Sequence, residues 1–162
     1  MRLLLGSLLL IVLASCGKDD RGLCEKYFEP YPDLISGSDM PAEHADYTNA
    51  MDLYRNGDLE GAAQILVEYI SLRGYQRSAH LYLANCYLKM DRPFDAELQL
   101  DHLENSNVKS FRDQTEWYTL LCWVCSGQLE RALPEAKRIA GAKHTYSKQA
   151  KELVADLDRE MK

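Results

Sequence analysis

Apolar residues recur with helical spacing over most of the chain beyond residue 42. This spacing predicts seven helices, at 43–56, 59–72, 77–90, 93–105, 111–126, 129–140 and 146–161. In the last helix the apolar stripe runs from Tyr146 to Leu157, and charged residues, Asp156 among them, lie on the outer side. The pattern therefore predicts an all-α domain that ends in a helix with a polar outer face.

The predicted helices repeat along the chain. Residues 50–62 align with residues 84–96 at an offset of 34, and residues 120–132 follow at a further offset of 36. Alanine recurs near both ends of these copies, where a small side chain lets two helices approach closely. The repeated alanines are Ala50, Ala84, Ala62, Ala96 and Ala132. The third copy departs from this pattern with Leu120, so we expect its two helices to pack more loosely or at a changed angle.

Turn residues mark the end of the first helix in each copy. Gly57 and Gly127 stand there in the first and third copies, and glycine accepts the left-handed conformation of a helix C-cap. In the middle copy we expect Asp91-Arg92-Pro93 to end the helix differently, with Pro93 in the first turn of the next helix.

These units resemble the tetratricopeptide repeat, a hairpin of two helices with a period of 34 residues. The resemblance covers residues 43–161 and implies a helical-hairpin solenoid of about three repeats. The last helix would then cap the array, because the terminal unit of a repeat array needs a polar outer surface. We therefore expect a tetratricopeptide-like domain over residues 43–162, preceded by a tether and an aromatic segment over residues 16–42.

The N-terminal residues are typical of an export signal. Arg2 precedes an apolar run from Leu3 to Val12, which is shorter than the ~20 residues that span a bilayer. Leu13-Ala14-Ser15-Cys16 then resembles the lipobox of bacterial lipoproteins. The resemblance implies a signal peptide at residues 1–15, a lipid anchor at Cys16 and a place at the membrane of the cell envelope, with the outer membrane expected. The alternative is an ordinary cleaved signal in which Cys16 carries no lipid. The charged residues Lys18-Asp19-Asp20 that follow do not decide between display on the cell surface and display in the periplasm.

Charge and motif content exclude several classes of function. The chain has 19 Lys and Arg against 25 Asp and Glu, a formal charge of −6, with no basic cluster, so we expect no nucleic-acid partner. The four histidines, His44, His80, His102 and His144, are far apart, and no phosphate loop or nucleophile elbow is present. We therefore predict a protein that is not an enzyme and that uses no metal or cofactor.

The segment from Leu23 to Ile35 is too aromatic for a simple linker. Its Tyr-Pro-rich sequence ahead of helical hairpins resembles envelope proteins of the Bacteroidota with tetratricopeptide repeats. One interpretation is that the segment folds back, to close the N-terminal end of the array or to lie in its groove, because exposed aromatic clusters are a liability. The other is that it is a short peptide offered to a partner.

A repeat array of this type binds proteins or peptides on its concave wall, which the first helix of each pair forms. Aromatic residues with polar tips suit such recognition, although aromatic residues at helical spacing also serve as core. The predicted wall residues are Tyr47, Met51, Tyr54, Leu81, Tyr82, Asn85, Lys89, Trp117, Tyr118, Leu121 and Val124. We therefore predict a non-catalytic adaptor for a protein or peptide, with a permanent structural subunit of an envelope assembly as the alternative.

A thiol-redox protein is a further alternative, because Cys122 and Cys125 have the spacing of a dithiol motif. The pair falls at the end of a predicted helix, however, where the helix dipole disfavours a thiolate. We therefore expect these cysteines to fill the core. The sequence leaves open whether Cys24, Cys86, Cys122 and Cys125 form disulfides.

Overall fold

The computed structural model describes residues 21–37, 41–73, 76–105 and 110–162. These residues form eight α-helices and no strand: α1 (Arg21–Tyr27), α2 (Ala45–Arg55), α3 (Leu59–Arg73), α4 (Arg77–Lys89), α5 (Pro93–Glu104), α6 (Arg112–Cys125), α7 (Leu129–Gly141) and α8 (Ser147–Glu160). A short 3₁₀ helix, Ala42–His44, leads into α2. The predicted signal peptide and Cys16 lie outside the described residues.

The prediction of an all-α domain is confirmed. Helices α2 to α8 match the seven predicted helices to within two residues at each end. Helix α1 was not predicted, because its sequence lies in the region assigned to the tether. From α2 to α8, each helix packs against its neighbours along the chain, with the pairs α2 with α3, α4 with α5, and α6 with α7, and α8 against α7; helix α1 packs against α6 and α8.

The turns inside the three pairs share one backbone structure. Gly57, Asp91 and Gly127 adopt the left-handed conformation, with φ of 85°, 58° and 72°. The residue after each of them donates its N–H to the carbonyl five positions earlier: Asp58 to Leu53, Arg92 to Tyr87 and Gln128 to Trp123. This hydrogen bond defines the Schellman motif at a helix C-terminus. The offsets of 34 and 36 in the sequence are thus also offsets between equivalent turns.

The middle turn differs from our expectation. Asp91 itself takes the left-handed conformation that glycine takes in the other two turns, so this helix ends by the same motif. Pro93 occupies the first turn of α5 as predicted.

The repeated small residues lie in the core. All five repeated alanines have no exposed surface, and neither has Leu120 in the third copy. One buried cluster joins α2, α3 and α4, and a second joins α4 to α8. Helix α4 contributes buried residues to both clusters, so the two clusters meet at this helix.

Candidate functional site

The first helices of the three pairs, α2, α4 and α6, present one face, which we call the concave face after the sequence prediction, and the N-terminal segment of the same chain covers it. After α1, residues 28–34 run without helical structure past α6, α4 and α2 in turn. We call these residues the strap. Pro30 and Pro32 favour this extended conformation, because proline fixes φ and keeps the preceding residue out of the helical region. Of the two interpretations of the aromatic segment, the structure agrees with the first.

Side chains of the concave face bind the main chain of the strap. The hydroxyl of Tyr118 donates to the carbonyl of Glu29 at 2.8 Å, and that of Tyr54 donates to the carbonyl of Tyr31 at 2.8 Å. The Tyr31 N–H donates to Asn85 Oδ1 at 2.9 Å. Because these bonds involve main-chain groups of the strap, they hold an extended backbone and do not depend on the strap's side chains.

Tyr82 makes two of the contacts. Its hydroxyl donates to the carbonyl of Pro32 at 3.1 Å and accepts the N–H of Leu34 at 3.0 Å. Asn85 is held in place by its own amide, which donates from Nδ2 to the carbonyl of Leu81 at 2.9 Å. The tyrosine and the asparagine, both on α4, therefore hold the centre of the strap.

Aromatic packing accompanies these hydrogen bonds. The ring centroids of Tyr31 and Tyr82 are 5.9 Å apart, and those of Phe28 and Tyr118 are 6.3 Å apart. Tyr54 packs edge-on against Tyr82 at 5.2 Å. Such pairs contribute about 0.5–1.5 kcal/mol each beyond their buried area.

Burial keeps the tyrosine hydroxyls of this face neutral. It raises the pKa of Tyr82 to about 12 and raises the pKa values of Tyr54 and Tyr118 further. Each hydroxyl therefore keeps its proton at neutral pH and can donate it to a strap carbonyl.

A disulfide between Cys24 and Cys125 ties α1 to the C-terminal end of α6. At the other end of the strap, Asp33 Oδ1 accepts the N–H groups of Ile35 and Ser36, and α2 is the next α-helix in the sequence. The strap is thus covalently attached to the array at both ends.

Asp156 provides a second attachment for α1. Lys26 Nζ lies 2.5 Å from Asp156 Oδ2, and the Tyr27 hydroxyl donates to the same oxygen at 2.6 Å. Arg159 pairs with the other carboxylate oxygen. These partners, Lys26 first, lower the pKa of Asp156. We predicted that Asp156 lies on the solvated outer side of the last helix, and this is wrong: its side chain is only 7% exposed, because α1 covers it.

The predicted wall residues fall into three groups. Tyr54, Tyr82, Asn85 and Tyr118 contact the strap, and Lys89 is exposed. The others are buried in the core: Tyr47, Met51, Leu81, Trp117, Leu121 and Val124. The core aromatic residues have partners there, since Tyr47 donates to Ser78 at 2.8 Å and Trp117 stacks on Tyr146 with centroids 5.1 Å apart. Apart from Lys89, these side chains are therefore covered by the chain itself.

Sequence reasoning missed the residues that fasten α1. Lys26 and Tyr27 lie about 130 positions from Asp156, so no local pattern relates them to it. The one available signal was the aromatic content of the segment, which indicated that something must bury it.

The cysteines do not form the dithiol pair that the spacing suggested. The sulfur of Cys125 is bonded to Cys24, so it is not paired with Cys122. Cys122 and Cys86 are buried, and burial raises the pKa of both thiols, that of Cys86 to about 12. A buried thiol of this kind is a poor nucleophile.

Within the described ranges, no group of three or more His, Cys, Asp or Glu side chains is arranged to hold a metal ion. Over the same ranges, every helix is too short or too polar to cross a membrane. Comparisons with protein-family models, curated proteins and solved structures find no match to this chain.

Proposed function

We propose that the chain is a lipid-anchored protein of a bacterial cell envelope whose tetratricopeptide-like array binds another protein or a peptide without catalysis. The three equivalent Schellman turns, spaced by 34 and 36 residues, support an array of this kind. The residues that resemble a lipobox support the anchor. The disulfide supports an oxidising compartment outside the cytoplasm.

The observation that supports peptide recognition by this domain is how its concave face holds the strap. Three tyrosine hydroxyls and one asparagine amide bind main-chain groups of an extended, proline-containing segment. This is the chemistry by which a groove binds a peptide, with the ligand supplied by the same chain.

The attachment of the strap directs a partner to another surface. A tethered segment has an effective concentration in the millimolar range, and this one is tethered at both ends. A free peptide would have to displace the strap and replace its hydrogen bonds to the buried hydroxyls. We therefore infer that the concave face serves the array itself and that the partner binds outside it.

The anchor would leave the array near its C-terminal end. Cys16 precedes Arg21 by five residues, which span at most about 18 Å. Helix α1 packs against α6 and α8, so a lipid on Cys16 would hold that end of the array close to the membrane. The free tether would therefore be the short segment between Cys16 and α1, not the whole segment between Cys16 and the first hairpin.

The anchor is tested by expressing the full chain in a bacterium and measuring the mass of its N-terminal peptide. We expect a mature chain that begins at Cys16, with lipid on the thiol and an acylated amine, and a Cys16→Ala variant without them. An unmodified Cys16, or cleavage elsewhere, contradicts the anchor. Protease treatment of intact cells then distinguishes surface display from periplasmic display.

The partner is sought by cross-linking membranes that contain the full chain, followed by gentle solubilisation. A companion recovered below stoichiometric amounts supports the adaptor, and the absence of any cross-linked companion contradicts a protein-binding role.

A permanent structural subunit is the second candidate, and the doubly attached strap favours it, because a fixed array suits a fixed assembly. A stoichiometric companion that withstands high salt would support the subunit. The thiol-redox alternative lacks an accessible thiol pair, because Cys125 is bonded to Cys24 and Cys122 is buried.

A further inference from the structure

A cleft of about 460 Å³ lies between α5 and α7, over α6, and we call it the charged cleft. Its volume falls in the range of roughly 300–1,000 Å³ that is typical of ligand sites. Thr115, Thr119 and Trp123, spaced by four residues along α6, form its floor. The strap is bound by Tyr54, Tyr82, Asn85 and Tyr118, and none of these four residues lines the cleft, so the cleft is a separate surface.

One arginine of the chain already occupies part of the cleft. The Arg131 guanidinium lies over the Trp123 ring, with Cζ 4.0 Å from the centroid, and 3.0 Å from Glu97 Oε1. The Trp123 indole donates to the same carboxylate oxygen at 2.8 Å. An aromatic face beside a carboxylate is a favourable site for a guanidinium. The cleft therefore has the chemistry to hold a cationic side chain.

Two further carboxylates continue the row beyond Glu97. Asp101 and Glu104 follow it by four and seven positions on α5, and such spacing places side chains on one side of a helix. Both are exposed, and neither forms an ion pair with any residue that the structure describes.

The arginines that line the cleft already have partners within the chain. Arg112 pairs with Glu116 at 2.7 Å, and Arg77 has an interaction within the chain. Arg131 is held by Glu97 and Trp123. Five carboxylates and three arginines of the described residues line the cleft, so negative charge is in excess there.

We propose that the charged cleft binds a basic segment of a partner protein, with a Lys or Arg side chain between Asp101 and Glu104, next to the Arg131–Trp123 stack. The formal charge of −6 on the chain favours the approach of such a segment. The inference rests on the proposed protein-binding role and is independent of the lipid anchor.

The test is a titration of the full chain with an acetylated, amidated hexapeptide of alternating Lys and Arg. Calorimetry measures the affinity, and the NMR signal of the Trp123 indole N–H, assigned with a Trp123→Phe variant, reports where the peptide binds. We expect the indole signal to shift, and a hexapeptide of Gln and Asn to leave it unchanged.

The decisive variant combines Asp101→Asn with Glu104→Gln, and we expect it to weaken binding about three- to tenfold. The matched control combines Asp46→Asn with Glu68→Gln, two exposed carboxylates on α2 and α3, and removes the same charge elsewhere. We expect the control to bind within about twofold of the unaltered chain, because distant exposed charges are screened.

Two results would overturn the inference. One is that the Trp123 indole signal does not shift when the basic peptide is added. The other is that both double variants weaken peptide binding equally, which would indicate attraction by net charge alone. The proposed function fails separately. If cross-linking finds no partner while the basic peptide binds the charged cleft, the proposed protein-binding function is contradicted, but the cleft's affinity for basic segments is supported. If the Asp101→Asn, Glu104→Gln chain keeps its cross-linked partner, protein binding stands and the cleft inference is overturned.

Discussion

The concave face and the charged cleft share helix α6 but differ in chemistry. Tyr118 on the concave face is almost fully buried and donates a neutral hydroxyl to the strap. Thr119, the next residue, lines a cleft of carboxylates and guanidinium groups. The first surface is completed by the chain itself, whereas the second has two carboxylates without a cation from the described residues. A surface that the chain completes stabilises the fold, and one that it leaves incomplete offers binding energy to a partner.

This comparison predicts that changes around the strap reduce stability and that changes in the charged cleft do not. The largest loss in the free energy of unfolding is expected from Cys24→Ser, which removes the disulfide with Cys125. The two cysteines are 101 residues apart, and losing a cross-link over a loop of that size costs about 2–5 kcal/mol. Denaturant unfolding of the oxidised proteins measures the loss.

Unaltered chain in a reducing agent is the control for this variant. It should unfold at the same denaturant concentration as Cys24→Ser, because both lack only the cross-link. If Cys24→Ser is as stable as the oxidised chain, the disulfide does not fasten the strap.

Tyr82→Phe should cost about 1–3 kcal/mol in the free energy of unfolding. The change removes one hydroxyl and leaves the carbonyl of Pro32 and the N–H of Leu34 without their partner. Tyr87→Phe is the matched control on the same helix, because its hydroxyl makes no hydrogen bond with the described residues and its ring contact with Arg92 is kept. We expect the control to change stability by less than ~0.5 kcal/mol. Equal stability of the two variants would contradict the role of Tyr82.

Asp156→Asn should reduce stability by about 1 kcal/mol at pH 7, a modest value because Lys26 is half exposed and solvent screens the pair. The pKa of Asp156 is lowered in the folded chain. Its contribution is therefore fully present above the unfolded pKa of about 3.9 and is lost as pH falls through the folded value. Unfolding measured from pH 7 to pH 2 should show the two proteins converge at low pH. A difference that is constant with pH would contradict this account.

The smallest effect on folding is expected in the charged cleft. Asp101→Asn with Glu104→Gln should change the free energy of unfolding by less than ~0.5 kcal/mol, because both side chains are exposed and lack ion pairs with the described residues. Thermal unfolding checks this value. A loss comparable to that of Tyr82→Phe would remove the distinction between the two surfaces.

Much of the fold follows from local sequence. Helical spacing and the alignment at 34 and 36 residues gave α2 to α8, and Gly57 and Gly127 marked two of the three turns. These features depend on residues close together in the chain. Asp91 was harder to interpret, because an aspartate takes the left-handed conformation only where the surrounding turn requires it.

The strap illustrates what local sequence does not determine. The sequence predicts a wall that includes Tyr54, Tyr82, Asn85 and Tyr118, but a helical pattern does not indicate what covers that wall. The Cys24–Cys125 bond and the Asp156 contacts join residues more than 100 positions apart. Such pairings depend on how the whole chain closes, so they required the three-dimensional structure.

The most direct test of the occupied concave face is hydrogen exchange of two strap amides in the oxidised full chain. The N–H groups of Tyr31 and Leu34 donate to Asn85 and Tyr82 in this account. We predict that both exchange slowly, and that Tyr82→Phe speeds exchange at Leu34 more than at Tyr31. Exchange of both amides at the rate of an unstructured peptide would show that the strap does not occupy the groove and would contradict the account.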